Sequence, residues 1–177
     1  MKQVDIIIAE NHFLVREGLV SLIGRTPGFE VAKVVEVQYE LVGALTTNNA
    51  AVVMLDCSSF EFDADNGLQS IMQSFPTAYF LVLVNGITHN ELVSLQEIGI
   101  KNFLSKSCNE EEILYAIETT ALGKKYYSES VLDLLISKSA RRSNNHESNS
   151  LTSAELEIVK LISEGLTTKQ IAGQRHL

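Results

Sequence analysis

Cysteine is scarce in this sequence. The 177 residues include only two, Cys57 and Cys108, and their separation matches no metal-ligand spacing. The disulfide frameworks that hold small secreted domains together use more thiols than this. We therefore expect two reduced thiols, which provide neither a disulfide framework nor a structural metal site.

Long apolar runs and internal repeats are also missing. No segment approaches the roughly 20 apolar residues that span a bilayer, and Met1–Asp5 leads directly into a predicted strand without a signal-peptide core. No repeat of about 20 to 50 residues, the period of solenoid proteins, occurs. The content of 45% apolar and 20% charged residues is that of a soluble globular protein. We expect a cytoplasmic protein with no membrane partner.

Positive charge is scarce except near the C-terminal end. The net charge is −8, with 18 acidic and 8 basic residues in positions 1–137 but 4 acidic and 6 basic residues in positions 138–177. A nucleic-acid-binding surface is usually basic. The acidic excess argues against nucleic-acid binding by the first part of the chain, whereas the composition of the second part permits it.

Short β-branched and apolar segments recur along the first part of the chain. They predict strands at residues 4–9, 29–37, 50–55, 78–84 and 102–104. A helical pattern follows each strand. Alternating strands and helices form a parallel sheet covered on both faces, and right-handed crossovers leave a doubly wound sheet as the simplest topology. We therefore predict an α/β fold with a five-stranded doubly wound parallel sheet.

Three segments follow the predicted sheet domain. Residues 123–137 carry the pattern of an extra helix with one apolar face. Residues 138–150 are rich in Ser and Asn and lack apolar anchors, which is typical of a flexible linker. Residues 151–177 contain two short helical patterns, each opened by a capping box. We expect a small all-α unit at this end.

The strand at 50–55 ends in a carboxylate, Asp56. Its continuous apolar run is typical of a strand buried on both faces, and in open parallel sheets the chemistry lies just beyond the carboxyl ends of strands. Glu10 directly follows the first strand, and the fifth strand ends near Lys106. An acid after a strand also serves as a turn or cap residue, so position alone leaves the role of Asp56 open.

Two motifs carry a family resemblance. Residues 1–122 resemble the receiver domain of two-component response regulators, and residues 12–19 read H-x-x-V-R-E-G-L, as the first helix of one class often does. Residues 151–172 resemble the start of a LuxR-type helix-turn-helix, with L-T-x-x-E-x-E-I-V followed by G-L-T-x-K-Q-I-A. Together they resemble the NarL/FixJ class. The resemblance implies a flavodoxin-like receiver at 1–122 and a helix-turn-helix at 151–177.

The resemblance implies a phosphorylation site and a metal site. Asp56 matches the phosphoryl acceptor after the third strand. Glu10 and Asn11 occupy the place of the acidic pair that holds Mg²⁺, together with Asp56 and the backbone carbonyl of Ser58. A carboxylate can attack a phosphoryl donor only if the charge of the transition state is neutralised, and Mg²⁺ does this with oxygen ligands in octahedral geometry.

The resemblance also implies three residues that contact or respond to the phosphoryl group. Lys106 matches the lysine that pairs with the phosphoryl oxygens, and Phe103 matches the switch aromatic three residues before it. By spacing, Val84 takes the place of the Ser or Thr that ends the fourth strand. In the family that hydroxyl bonds the new phosphoryl group and pulls its loop inward.

Two of these positions depart from the family pattern. Asn11 replaces a negative ligand by a neutral amide, so Mg²⁺ binding should be weaker. Val84 has no hydroxyl, so the usual hydrogen bond to a phosphorylated Asp56 cannot form. The leading hypothesis is a response regulator that accepts phosphate on Asp56 to control a transcriptional output. The alternative is an atypical receiver that acts as a dimerisation or protein-interaction module without phosphorylation.

The resemblance implies particular partners. A sensor histidine kinase would supply the phosphoryl group, and a homodimer is compatible with the family. The second helix of a helix-turn-helix reads the major groove, and here it would begin after Leu177. We therefore expect this chain to lack a DNA-reading helix, so that its DNA-binding residues are unknown and DNA is a partner only of a longer form.

Two other protein classes use the same kind of sheet. A phosphatase of the haloacid dehalogenase group places a second acid two residues after its nucleophile, where this chain has Ser58. An FMN-binding flavodoxin has a Ser/Thr/Gly phosphate cradle after the first strand, where this chain has residues 10–12, Glu-Asn-His. Both readings are poorly supported, and we expect a protein that is not an enzyme.

Overall fold

Strands and helices alternate along the part of the chain that the structure describes, and the strands of that part belong to one sheet. The computed structural model describes residues 3–48, 51–62 and 67–136. The strands are β1 (Val4–Ala9), β2 (Phe29–Val35), β3 (Val52–Leu55), β4 (Tyr79–Val84), β5 (Asn102–Ser105) and β6 (Tyr126–Tyr127). The helices are α1 (Phe13–Gly24), α2 (Gln38–Thr47), α3 (Gly67–Ser74), α4 (His89–Glu97), α5 (Glu110–Ala121) and α6 (129–136).

The chain divides into two units between Ile136 and Ser137. The predicted linker at 138–150 and the predicted helix-turn-helix at 151–177 lie outside the described residues and stay predictions. Within residues 3–48, 51–62 and 67–136, no helix combines the length and apolar character that crossing a membrane requires.

The predicted doubly wound parallel sheet is confirmed. Its strand order is β2-β1-β3-β4-β5-β6, and every neighbouring pair is parallel. The chain direction across the sheet reverses at β1, which pairs with both β2 and β3. Ala9 and Leu55, the last residues of β1 and β3, are partners in register. The residues that follow them, Glu10 and Asp56, therefore leave the sheet side by side.

Side chains of the sheet alternate between two apolar layers. On β3, Val53 and Leu55 pack with α2, α3 and α4, whereas Val52 and Met54 pack with α1 and α5. All four residues of β3 are buried, as its continuous apolar run predicts. Each large aliphatic side chain in such a core contributes about 2 to 5 kcal/mol relative to alanine. The backbone of β3, which positions Asp56, is therefore rigidly held.

The sheet has one strand more than the five predicted. Tyr126 and Tyr127 form β6 beside β5, within the 123–137 segment that was predicted only as an extra helix. The predicted extra helix itself is present and spans residues 129–136. Two adjacent tyrosines favour extended backbone, and the open edge of β5 supplies hydrogen-bonding partners for it. A strand of two residues is too short to produce a period-2 pattern, which is why the sequence did not reveal it.

The segment after α5 is held firmly against the sheet. The Tyr126 backbone N–H donates to Asn102 Oδ1 at 2.9 Å, and the Asn102 amide donates to the Phe80 carbonyl at 3.1 Å. The Ser128 backbone N–H donates to the Phe103 carbonyl at 3.0 Å. Val131 of α6 is 1% exposed and belongs to the apolar layer of α2, α3 and α4. Residues 126–136 are thus an integral part of the sheet unit.

Candidate functional site

Three strand ends bring two carboxylates and one ammonium together. Glu10 after β1 and Asp56 after β3 are 0% and 1% exposed. Lys106, which follows β5, places Nζ 2.7 Å from Asp56 Oδ2 and 2.7 Å from Glu10 Oε2. Buried charges persist only when they are paired and hydrogen-bonded. One lysine thus bridges the two buried acids.

Asp56 is the most heavily hydrogen-bonded member of this group. Its Oδ1 accepts from the Ser58 backbone N–H at 3.0 Å and from the Ser58 hydroxyl at 2.6 Å, and its Oδ2 accepts from the Ser59 hydroxyl at 2.6 Å. Burial raises the pKa of Asp56, but the hydrogen bonds from Lys106, Ser58 and Ser59 outweigh burial and hold the pKa below its ordinary value. Asp56 is therefore an anion at neutral pH, the form that a nucleophile needs.

Glu10 supplies the second negative charge. Its Oε1 accepts from the backbone N–H of His12 at 2.8 Å. Its Oε2 is buried and accepts no hydrogen bond within the described part of the chain, although it forms the ion pair with Lys106. Two carboxylates against one ammonium leave a net negative charge, and carboxylate oxygens are the ligands that Mg²⁺ prefers. The acidic cluster fits a divalent cation.

His12 is a member of the site that the sequence analysis did not identify. It occupies the residue before α1. Its side chain, 59% exposed, also places Nδ1 2.7 Å from Glu10 Oε1 and 3.3 Å from Asp56 Oδ2. The spacing of Glu10 and His12, two residues apart after a strand end, was the only signal available. Because side-chain direction there depends on the turn, the sequence alone did not reveal the contact.

Asn11 and Ser58, two of the predicted metal ligands, lie at the rim. The Asn11 side chain is exposed and its Nδ2 donates to the Ser59 carbonyl at 2.8 Å and to the Glu36 carbonyl at 3.4 Å. Ser58 is exposed and bonds Asp56 through its own N–H and hydroxyl. Asn11 therefore joins the loops after β1, β2 and β3.

Val84 and Phe103, the predicted switch positions, are both buried. Val84 ends β4 at 7% exposure, and its carbonyl accepts from the Lys106 backbone N–H at 2.8 Å. It lines a cleft of about 510 Å³ that also includes Asp56 and is bordered by α4. Phe103 is 0% exposed and stacks on Tyr127 with ring centroids 5.7 Å apart. The aromatic side chain lies inside the core, under β6.

The two cysteines are free thiols. Burial, and then the neighbouring charge of Asp56, raise the pKa of Cys57 to about 12. Burial and the charge of Glu112 raise the pKa of Cys108 to about 11. A thiol reacts as its thiolate. Both cysteines are therefore poor nucleophiles at neutral pH, although Cys57 is adjacent to Asp56.

Known response regulators resemble this chain over almost its full length. The nitrate/nitrite response regulator protein homolog of Haemophilus influenzae is 26% identical over 175 residues, which is 97% of this chain and 81% of that protein. The nitrate/nitrite response regulator protein NarP of Escherichia coli is 25% identical over 95% of this chain and 78% of its own length. Response regulator protein VraR of Staphylococcus aureus is 21% identical over 98% of this chain and 82% of its own. No protein-family model matches the sequence.

Solved structures show the same fold. The RcsB response regulator of Salmonella typhimurium superposes with a TM-score of 0.72 at 24% identity, covering 99% of this chain and 85% of that one. A LuxR-family two-component response regulator from Aurantimonas superposes with a TM-score of 0.69 at 20% identity, covering 78% of this chain and 99% of that one. The strand order and the acidic site at the strand ends are both consistent with the similarity to response regulators. The chain is therefore a homologue of two-component response regulators of the NarL/LuxR type, and its described part has the receiver fold.

Proposed function

We propose that Asp56 accepts a phosphoryl group from the phosphohistidine of a sensor kinase. The observation that supports this most is the anionic Asp56 carboxylate, which lies at the end of β3 with the Lys106 ammonium 2.7 Å away. A carboxylate oxygen of Asp56 attacks phosphorus, the P–N bond breaks, and its electron pair goes to the imidazole nitrogen of the kinase. Lys106 then pairs with the oxygens of the transferred group.

The acidic site is proposed to hold a divalent cation during this transfer, as the family resemblance implies for Mg²⁺. Glu10 and Asp56 would supply carboxylate oxygens, with Asn11 and the Ser58 carbonyl as further oxygen ligands. When bound there, the cation would neutralise charge on the transferring group. Glu10 is prepared for this role because its carboxylate is already desolvated and faces Asp56 across Lys106.

The output would be transcriptional control by the residues beyond 150. One of the solved structures that the chain resembles is described as an RcsB–DNA complex. In this proposal DNA is bound by a form that includes a reading helix, a homodimer is the binding species, and the protein acts in the cytoplasm. The receiver supplies the regulated half of such a molecule.

Val84 and Phe103 favour a second function. Val84 has no hydroxyl that could bond a phosphoryl group on Asp56, and Phe103 is fully buried and stacked on Tyr127. A receiver without the usual switch hydroxyl can still present a surface to a partner. In this reading the chain is a protein-interaction module whose state does not depend on Asp56.

Phosphorylation with a small donor separates the two functions. We expect the 177-residue protein incubated with acetyl phosphate and Mg²⁺ to gain one phosphoryl group by intact mass, slowly because Asn11 carries no charge. Asp56→Asn should gain none. Asp133→Asn, which removes an exposed carboxylate from α6, is the matched control and should behave like the wild type. Absence of the modification from all three proteins would contradict phosphoryl acceptance and support the interaction module.

A further inference from the structure

We propose that the acidic site selects a borderline transition-metal ion, of the Zn²⁺ and Co²⁺ type, over Mg²⁺, and that His12 Nδ1 is one of its ligands. The inference deepens the proposed function, because it concerns the cation site that phosphoryl transfer would use. It changes both the ligand set and the class of ion that the family resemblance implies.

The donor atoms have the spacing of ligands around one ion. One donor each from Glu10, His12 and Asp56 lies within 4.8 Å of the other two. His12 Nδ1 is 2.7 Å from Glu10 Oε1 and 3.3 Å from Asp56 Oδ2. Ligands about 2.0 to 2.2 Å from a zinc-like ion are separated from each other by roughly 3 to 3.5 Å in tetrahedral or octahedral geometry. Small adjustments would therefore bring all three onto a single cation.

The chemistry of these donors favours a softer ion than Mg²⁺. Imidazole nitrogen suits Zn²⁺, Co²⁺ and Ni²⁺, whereas an all-oxygen set suits Mg²⁺. Asn11 has lost the charge that would attract a hard cation, and its amide nitrogen is engaged by the Ser59 carbonyl. The site has therefore lost a hard anionic ligand and gained a nitrogen donor. Both changes favour a transition-metal ion over Mg²⁺.

Glu10 gives independent support for a bound cation. Its carboxylate is fully buried, and Oε2 accepts no hydrogen bond from the described residues. Among the described residues, the Lys106 ammonium lies 2.7 Å from Oε2 and His12 Nδ1 lies 2.7 Å from Oε1. The Lys106 ammonium compensates only one of the two buried negative charges, those of Glu10 and Asp56, and a buried charge without compensation is costly. A metal ion bound by Glu10 would supply the missing positive charge.

Lys106 Nζ lies in the space that such an ion would enter. It is 3.4 Å from His12 Nδ1 and 2.7 Å from both carboxylates. Like charges repel, so a divalent ion would displace the ammonium from Glu10. The released lysine would then be available for phosphoryl oxygens on Asp56. Metal binding and preparation for phosphoryl transfer are thus coupled through one side chain.

His12→Asn in the 177-residue protein is the decisive variant. Asparagine is a preferred residue before a helix, so α1 should be retained, and far-UV circular dichroism checks this. Affinities for Co²⁺ and Mg²⁺ are measured by calorimetry, and the visible absorption of Co²⁺ reports nitrogen ligation. We expect the wild type to bind Co²⁺ more tightly than Mg²⁺, and the variant to lose at least about tenfold in Co²⁺ affinity, since even the loss of a residue that only orients a metal ligand costs roughly that much. Its Mg²⁺ affinity should stay within about twofold, because Mg²⁺ gains little from imidazole.

Two further variants complete the test. His89→Asn removes an imidazole at the start of α4 and should leave both affinities unchanged. Asp56→Asn should weaken both ions, because it removes a ligand common to them. Equal losses of Co²⁺ and Mg²⁺ affinity in His12→Asn, or no loss of either, would overturn the inference. Unchanged Co²⁺ binding in Asp56→Asn would overturn it too, because the ion would then lie elsewhere.

Failure of the inference is distinguishable from failure of the proposed function. Phosphorylation of Asp56 is scored by mass, and metal selectivity by calorimetry and absorption in the absence of any phosphodonor. A protein that selects Co²⁺ through His12 but never gains a phosphoryl group would support the metal site and contradict phosphoryl acceptance. A protein that is phosphorylated on Asp56, but whose metal affinities are unchanged by His12→Asn, would support phosphoryl acceptance and contradict the proposed metal site.

Discussion

Asp56 differs from an ordinary surface carboxylate in two opposed ways. Its burial favours the neutral acid, whereas the donors around it favour the anion. The donors prevail, because the Lys106 ammonium and the two serine hydroxyls all act on the charged form. The result is a carboxylate that is both desolvated and ionised, a combination that suits attack on phosphorus.

The lowered pKa of Asp56 predicts a defined dependence of stability on pH. Because the pKa is lower in the folded chain than in the unfolded one, ionised Asp56 stabilises the fold. That contribution is fully present above the ordinary pKa of 3.8 and is lost as the pH falls below it. Chemical denaturation in metal-free buffer should therefore show a steeper decline below pH 4 for the wild type than for Asp56→Asn. If stability declined equally with pH in the wild type and in Asp56→Asn, the hydrogen bonds assigned to the Asp56 carboxylate would be contradicted.

The raised pKa values of the two thiols predict slow alkylation. At pH 8 only a small fraction of Cys57 or Cys108 is thiolate, since their pKa values are about 12 and about 11. Native protein should react with iodoacetamide far more slowly than the same protein in denaturant, and Cys108 faster than Cys57. Peptide mass mapping of each site measures both rates. Native thiols that react as fast as denatured ones would show that they are not buried as described.

At the scale of elements, β6 and α6 extend the receiver beyond α5. The sequence boundary at residue 122 follows the family resemblance, but the hydrogen bonds of Asn102, Phe103 and Ser105 continue to residues 126–128. Tyr127 stacks on Phe103, and its hydroxyl accepts from Gln96 of α4 at 3.2 Å. These contacts hold the switch aromatic in its buried position.

Truncation of Val131 tests whether α6 contributes to this unit. Val131 is 1% exposed within the core, so Val131→Ala should lower the free energy of unfolding by about 1 to 3 kcal/mol. Asp133→Ala, at an exposed position of the same helix, should change it by no more than about 0.5 kcal/mol. Urea denaturation of both proteins provides the comparison. Equal stability of the two would mean that α6 is not packed on the sheet.

At the scale of the whole molecule, strand topology accounts for what the sequence could predict. Glu10, Asp56 and Lys106 each follow a strand, and parallel strands direct their carboxyl ends to one edge. Their proximity therefore depends on the order of elements rather than on detailed packing. The apolar runs of the strands, above all that of β3, allowed the order of the elements to be predicted from the sequence.

Features that depend on turns or on very short segments could not be predicted. The inward direction of His12 and the Ser59 hydrogen bond to Asp56 are set by loop geometry, which hydrophobic periodicity does not encode. Strand β6 has two residues and no periodicity of its own. The predicted roles of Asn11, Val84 and Phe103 came from family resemblance alone, and they stay predictions.

Chemical trapping of the phosphorylated residue tests the central claim most directly. The 177-residue protein is treated with acetyl phosphate and a divalent cation and then reduced with borohydride, which converts an acyl phosphate to an alcohol. The digested peptides are sequenced by mass spectrometry. The account predicts that the reduced residue is at position 56 and nowhere else, and that Asp56→Asn yields none. Reduction at another carboxylate, or at none, would contradict it.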